Sequence, residues 1–599
     1  MEVMNMSSLP LVYNSFLNNS LIPKKVTPHL RINGHGRITP RLPFQPSAVM
    51  TDGSSSSSIK QLRPLLTTFT PSFWGDTFST FSLDNQVQQN LTKEIESLKK
   101  EIRSVLMAAT STKLLILIDK LERLGLSYHF DTEIEDKLKQ VCASTKDEET
   151  DDDLFTTALR FRLLRQHRCS VSCNVFMKFV DKDNKLDESL ISDVEGLLSL
   201  HEAAHVRIHD ENVLEEAIVF TTHHLNHMLS HLESPLKEKV QQTLTYPFHK
   251  TLGILNCRFH IESYQNDDSR DELVLKLAKL NFNFMQNCFR KELVEVTTWW
   301  KNFNLESTVP YVRDRLVECF IWALSFHSEY AHVRICLAKF LILHTTLDDI
   351  YDNYATLEEL EILTEALDRW DAKEIDGLPE TLRLLYKGLL KFTKDLEDEA
   401  RTHGKQYMVP YFIDEVKRGA RSCAMQQAWF MEESFPSFKE YMIETRIGGL
   451  INVWFLISAT LIESSTKATI DWMLSEPDVI IHSNDVGRLL DDIVSHNRES
   501  KDGTIFTPMD CYMKEMKGRG VSEEEAISEF RKLIEDSWKH LTAAWVNSTT
   551  VQPKEIVVQL LDFTRACGTF YVNEEDGYTY PEKHFGPLVG SLLLGPMQL

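Results

Sequence analysis

Two acidic motifs and one arginine pair carry most of the chemistry legible in this chain. In the run Ala338 to Asp352, Phe340-Leu341-Ile342-Leu343 and His344-Thr345-Thr346-Leu347 lead straight into Asp348-Asp349-Ile350-Tyr351-Asp352. On a helix, Asp348 and Asp352 share one face at a spacing of four residues. Two carboxylates so placed repel each other unless a cation lies between them, and carboxylates are almost never buried unpaired. A hard, all-oxygen ligand set predicts Mg2+ or Mn2+ and argues against zinc. An exposed helix end with solvated acids would produce the same local pattern.

The second motif is Arg488-Leu489-Leu490-Asp491-Asp492-Ile493-Val494-Ser495-His496-Asn497-Arg498-Glu499. Asp491, Ser495 and Glu499 fall on one helical stripe, and Arg488 is on the same face. Oxygen ligands beside a guanidinium suit an anion shared between metal and arginine, and a diphosphate has that chemistry. Arg313 and Arg315 stand in a loop just before the helical pattern Leu316, Val317, Phe320, Ile321, Trp322, where a helix start also favours anions. Trp322 presents either a π face to the site or an ordinary core ring. Tyr571, Asp576 and Tyr578 surround an Asp-Gly turn near the C-terminus.

The elements that must position these groups read as helices. In a chain of 599 residues, 42% hydrophobic content supports a large core, and 22 glycines and 20 prolines are too few for a turn-rich β-sandwich. Leu114, Leu117, Leu121 and Leu124 repeat at helical spacing and meet a stop at Gly125. Similar stripes run through Phe155 to Leu164, Leu190 to Leu200 and Leu214 to Leu225. The expected fold is all-α with two helical domains, 59–270 and 271–599, the division falling near Asn266 to Arg270. Ile447 to Ile462 is the most apolar stretch, but it is short for a membrane span and reads as a buried helix.

Charge divides the chain differently. Against a net of −23, residues 1–50 carry five basic side chains and only Glu2, a net of +4, which leaves −27 for the remainder. An acidic body argues against nucleic-acid binding. The Ser-rich, acid-poor leader 1–58 reads as a plastid transit peptide. The ten cysteines are scattered, and only Cys169 and Cys173 are close, so free thiols in a reducing compartment are expected.

Taken together, these motifs resemble those of plant class I terpene synthases. Asp348 and Asp352 match the family's aspartate-rich metal motif, and Asp491, Ser495 and Glu499 match its second metal motif, (N/D)DxxSxxxE. Arg313 and Arg315 match its RxR element, and Arg488 its diphosphate-binding arginine. Trp322, Tyr571, Asp576 and Tyr578 fall where the family has active-site aromatics and an Asp-Gly-Tyr turn. Arg63-Pro64 with Trp74 resembles the N-terminal segment that caps the site.

The resemblance covers roughly 60–599. It departs after Glu499, where Asp502 precedes Gly503 and leaves Lys501 as the nearby cation. No DxDD motif stands in the N-terminal half, which by resemblance is a catalytically silent α-barrel beside a C-terminal class I α-bundle. The resemblance implies a monomeric lyase using three Mg2+ ions, or Mn2+, to ionise a linear prenyl diphosphate and cyclise the cation. A prenyltransferase would normally need a second DDxxD motif. The plastid leader favours geranylgeranyl or geranylfarnesyl diphosphate as substrate, and the sesquiterpene-type motifs favour farnesyl diphosphate as the alternative.

Overall fold

The computed structural model describes residues 69–599 except 145–152, 184, 304–311, 327–328, 503–504 and 548–552, together with the side chains of 500–502. The leader and Arg63-Pro64 lie outside the described residues. Among the described residues the fold is all helical, with one isolated bridge, Val180 to Leu186, in place of a sheet. All ten cysteines are free.

Local signals account for several helix boundaries. The Ser111–Arg123 helix ends where the sequence places a stop: Gly125 takes φ +68°, and Leu126 N–H donates back to Leu121 C=O at 2.8 Å. Thr356, Ser437 and Ser522 each close a capping box with a glutamate three residues on. These caps satisfy backbone donors that would otherwise be orphaned at the helix starts.

Helices 253–265 and 272–303 meet at the short turn near Asn266 to Arg270. The described residues nevertheless form one compact unit. The Glu272–Phe303 helix is its spine, packing against Asn85–Ala108 on one side and Ala331–Asn353 on the other. Its buried Leu277, Leu293 and Val296 are fully or almost fully enclosed. Burial on this scale is the main stabilising contribution, at roughly 25 cal/mol per Å² of apolar surface.

One buried ion pair fixes the aspartate-bearing helix against that spine. Arg334, fully buried in Ala331–Asn353, donates to Glu292 Oε1 at 2.7 Å and Oε2 at 3.0 Å. Arg334→Met should leave Glu292 as an uncompensated buried charge, destabilising the protein by about 3–5 kcal/mol. Denaturant unfolding of the variant checks this, and the double variant Arg334→Met, Glu292→Met should recover most of the loss.

The apolar stretch 438–461 is long and apolar enough to cross a membrane by length and composition, but it is 67% buried inside the fold. It is also two helices, Phe438–Gly448 and Ile451–Leu461, broken at Leu450, which takes a left-handed φ of +51°. The side chain of Leu450 occupies the space a Cβ on Gly419 would need. Its second helix is buried at every position except Asn452.

Candidate active site

Two helices bring the acidic motifs face to face. Ala331–Asn353 carries Asp348 and Asp352 near its C-terminal end, and Asp478–Asp502 carries Arg488, Asp491, Ser495 and Glu499. Between them lies a cleft with about 720 Å³ of empty space, its open mouth included. Asp348, Asp352, Asp491, Asp492 and Glu499 line it with Arg313, Arg488 and Arg498. Five carboxylates against three guanidiniums leave an excess of negative charge in a partly enclosed space. Such an arrangement calls for cations.

The arginines are tied to part of this charge. Arg313 donates to Asp348 Oδ2 at 2.7 Å and pairs with Asp349 Oδ1 at 2.8 Å, and its backbone N–H donates to Asp349 Oδ2. Arg488 pairs with Asp492 at 2.7 Å and with Asp491 at 3.1 Å. Arg498 bonds Glu499 at 3.1 Å and lies 3.8 Å from Asp576. Asp352 has no such partner in this set.

Burial and like charge show in the acidities. Burial pushes Asp349 up to about 6 despite Arg313, and Asp492 up to about 8 despite Arg488. Asp352 is raised well above the usual range, first by burial and then by Asp348 and Glu499 facing it. Asp491 is raised as well, burial outweighing the pull of Arg488. Groups perturbed this strongly cluster at functional sites.

The donor set fits a hard divalent cation. Ser495 Oγ is fully enclosed with no hydrogen-bond partner, on the same helical face as Asp491 and Glu499. Buried hydroxyls without a partner are rare. Carboxylate and hydroxyl oxygens without sulfur or imidazole are the ligands that magnesium and manganese take.

Behind the carboxylates the walls turn aromatic. Trp322 stacks on Phe570 at 4.2 Å with an interplanar angle of 6°, and Phe563 and Trp454 pack around it. Tyr571 lies 6.4 Å from Trp322 and hydrogen-bonds Asp491. Tyr578 bonds Thr345 Oγ1, approaches Cys319 Sγ at 3.4 Å and sits under the Arg313 guanidinium at 5.6 Å. Asp576 holds its own turn, Oδ1 accepting from the backbone N–H groups of Tyr578 and Thr579.

Not every expected residue reaches the cleft. Arg315 does not line it: the side chain is buried and donates to Thr70 C=O and Oγ1, Asp314 C=O and Thr579 C=O. In this structure it clasps the N-terminal strap to the Asp-Gly-Tyr turn. Phe69 of the same strap lies over Arg313 at 5.1 Å, and Trp74 Nε1 donates to the buried Glu318 at 2.8 Å. Lys501 belongs to the Asp478–Asp502 helix, but its side chain is outside the described residues. Trp322 serves the aromatic wall, and Asp576 holds its turn while lying 3.8 Å from Arg498 at the edge of the carboxylate site.

Arg315→Ala should therefore free the strap. Limited proteolysis should cut ahead of Trp74 several times faster, while the helical content of the rest is unchanged. An unchanged cleavage rate would refute the clasp.

Asp349, Asp492 and Arg498 are site residues that ligand spacing alone does not single out. Arg488 and Asp492 stand at an ion-pairing helical spacing, a signal open to sequence reading. Phe563, Phe570 and Trp454 have none, because three separate helices supply them and Trp322.

Known proteins share the sequence and fold of this chain. Residues 301–540 match the terpene synthase family metal-binding domain, and 73–244 match the terpene synthase N-terminal domain. Tau-cadinol synthase from Lavandula angustifolia is 46% identical over 87% of this chain and 95% of its own. Gamma-cadinene synthase from Ocimum basilicum is 44% identical over 88% of this chain and 96% of its own.

Among solved structures, limonene synthase with 2-fluorolinalyl diphosphate superposes with a TM-score of 0.83 at 29% identity, covering 90% of this chain and all of that one. Isoprene synthase from grey poplar, in complex with three Mg2+ ions and dimethylallyl-S-thiolodiphosphate, gives 0.80 at 29% identity over 85% of this chain and 97% of that one. Fold and site define a metal-binding lyase built from two all-helical domains. The chain belongs to the plant class I terpene synthases.

Proposed function

We propose that this enzyme ionises farnesyl diphosphate with Mg2+ and cyclises the resulting cation to a sesquiterpene. The observation that carries this reading is the pair of facing carboxylate helices, flanked by Arg313 and Arg488, with a cluster of stacked aromatic rings packed nearby. Asp348 and Asp352 on one helix and Asp491, Ser495 and Glu499 on the other would hold the metal. Bound there, magnesium supplies Lewis-acid neutralisation of the leaving diphosphate.

The chain's own groups do the rest. Arg313, Arg488 and Arg498 bind the diphosphate oxygens and keep the leaving group at the mouth. Trp322, Tyr571 and Tyr578 face the prenyl cation, each π face contributing about 0.5–2 kcal/mol. The strap held by Arg315 and Trp74 covers the entrance and keeps water from the cation.

The fifteen-carbon substrate is favoured because the relatives are sesquiterpene synthases. This reverses the substrate order expected from the leader. The leader's composition supports a second reading, plastid import and a twenty- or twenty-five-carbon substrate. Competition of prenyl diphosphates of each length for the full-length protein, with products read by mass spectrometry, decides between them. Highest kcat/KM for farnesyl diphosphate is expected, and a tenfold preference for a longer chain would overturn it. A fluorescent fusion of residues 1–58 tests the address separately: chloroplast accumulation supports it and cytosolic signal refutes it.

A further inference from the structure

His344 sits one helical turn before Asp348 on the same helix. Its ring lies over Phe340 at 6.2 Å and nearly parallel to it, and meets Trp454 edge-on at 5.9 Å. Trp454 in turn packs on Trp322 and Phe563. His344 therefore belongs to the same wall as the rings that face the cation. It also lies within the electrostatic reach of Asp348, Arg313 and Arg488.

The imidazole stands out within that wall. Its side chain is partly exposed, and neither ring nitrogen has a hydrogen-bond partner among the described residues. The other polar atoms of that wall are engaged or cannot accept a proton. Tyr578 Oη is bonded to Thr345 and approaches Cys319, Tyr571 is bonded to Asp491, and Trp454 Nε1 is a buried donor without a partner. Burial lowers the pKa of His344 to about 4, so the ring is neutral at physiological pH with one lone pair free.

We propose that His344 accepts the proton that ends the cation cascade and so selects which alkene is released. The inference rests on the terpene synthase reading of the site. A C–H bond beside the cationic carbon breaks, and its electron pair becomes the π bond of the product. The proton passes to the free nitrogen of His344, forming an imidazolium. Released diphosphate at the mouth, held by Arg313 and Arg488, takes the proton from it and regenerates the neutral ring. The position suits this sequence because the imidazolium forms within the field of the departing anion, which stabilises it. The same ring stays uncharged while the cation is being folded.

The test uses full-length wild type, His344→Phe and His344→Gln with Mg2+ and the prenyl diphosphate that wild type turns over, reading diphosphate release and product distribution together. Phe keeps a ring in the stack and removes the acceptor, and Gln provides a second variant if Phe packs poorly. Diphosphate release should stay within about threefold of wild type, because the interactions that stabilise ionisation are untouched. The share of the wild-type main alkene should fall at least about fivefold in both variants, replaced by other alkenes or water-trapped alcohols.

A wild-type product profile from His344→Phe would overturn the proposal, since the ring's shape alone would then suffice. Loss of diphosphate release in both variants would overturn it as well, because His344 would then serve ionisation. Absence of diphosphate release by wild type itself would instead defeat the underlying terpene synthase reading.

Discussion

Asp352→Asn should cut turnover by roughly a thousandfold while leaving the metal-free protein at least as stable as wild type. The two effects have opposite signs for one reason. Asp352 is enclosed, with Asp348 and Glu499 facing it and no guanidinium paired to it. Its charge is a liability to the empty fold and an asset only when a cation is bound between the helices. Asparagine keeps the shape, removes the repulsion and supplies a far weaker ligand. Steady-state rates and thermal melts in EDTA measure both. A variant that loses stability and activity together would point to an ordinary structural carboxylate.

A second large effect follows from metal removal. Asp349, Asp352, Asp491 and Asp492 all have pKa values raised in the folded state, Asp349 and Asp491 to about 6 and Asp492 to about 8. Between the ordinary carboxylate value and these raised values, the folded protein binds more protons than the unfolded chain. Stability must therefore fall as pH rises through that interval. The melting temperature in EDTA should decline steadily from about pH 5 to about pH 8. Mg2+ with inorganic diphosphate should raise it most at the alkaline end, since bound cations replace the protons. A pH-independent melting temperature without metal would contradict the charge arrangement described above.

How much of this was legible depends on how local each signal is. The end of the Ser111–Arg123 helix was readable because a leucine stripe and a glycine able to take positive φ lie within a few residues. The metal motifs were readable for the same reason: Asp348 with Asp352, and Asp491 with Ser495 and Glu499, repeat at the pitch of one helix. Their meeting across a cleft is a property of packing, which spacing along one helix does not contain. It was the resemblance that anticipated it.

Arg315 shows the limit most clearly. By type and position it pairs with Arg313 as an anion binder, yet its guanidinium is used up by Thr70 and Thr579, residues far away in the sequence. The aromatic wall is similar, because Trp322, Trp454 and the pair Phe563 and Phe570 come from three helices, and no spacing along one helix joins them. The break at Leu450, inside the stretch expected to be one buried helix, directly follows Gly448-Gly449. Both glycines also line the cleft, where a side chain on Gly448 would run into Gln426 Nε2 at 2.5 Å. Helix break and cleft-lining position coincide there.

The claim on which everything else stands is that the facing carboxylates, with Arg313 and Arg488, hold a metal-bound diphosphate. Pyrophosphate release from farnesyl diphosphate by the full-length protein, followed during titration with Mg2+, measures this most directly. The expected result is release that is absent in EDTA, saturates with Mg2+ and is lost in Asp352→Asn. Release that persists in EDTA, or that survives Asp352→Asn undiminished, would contradict it.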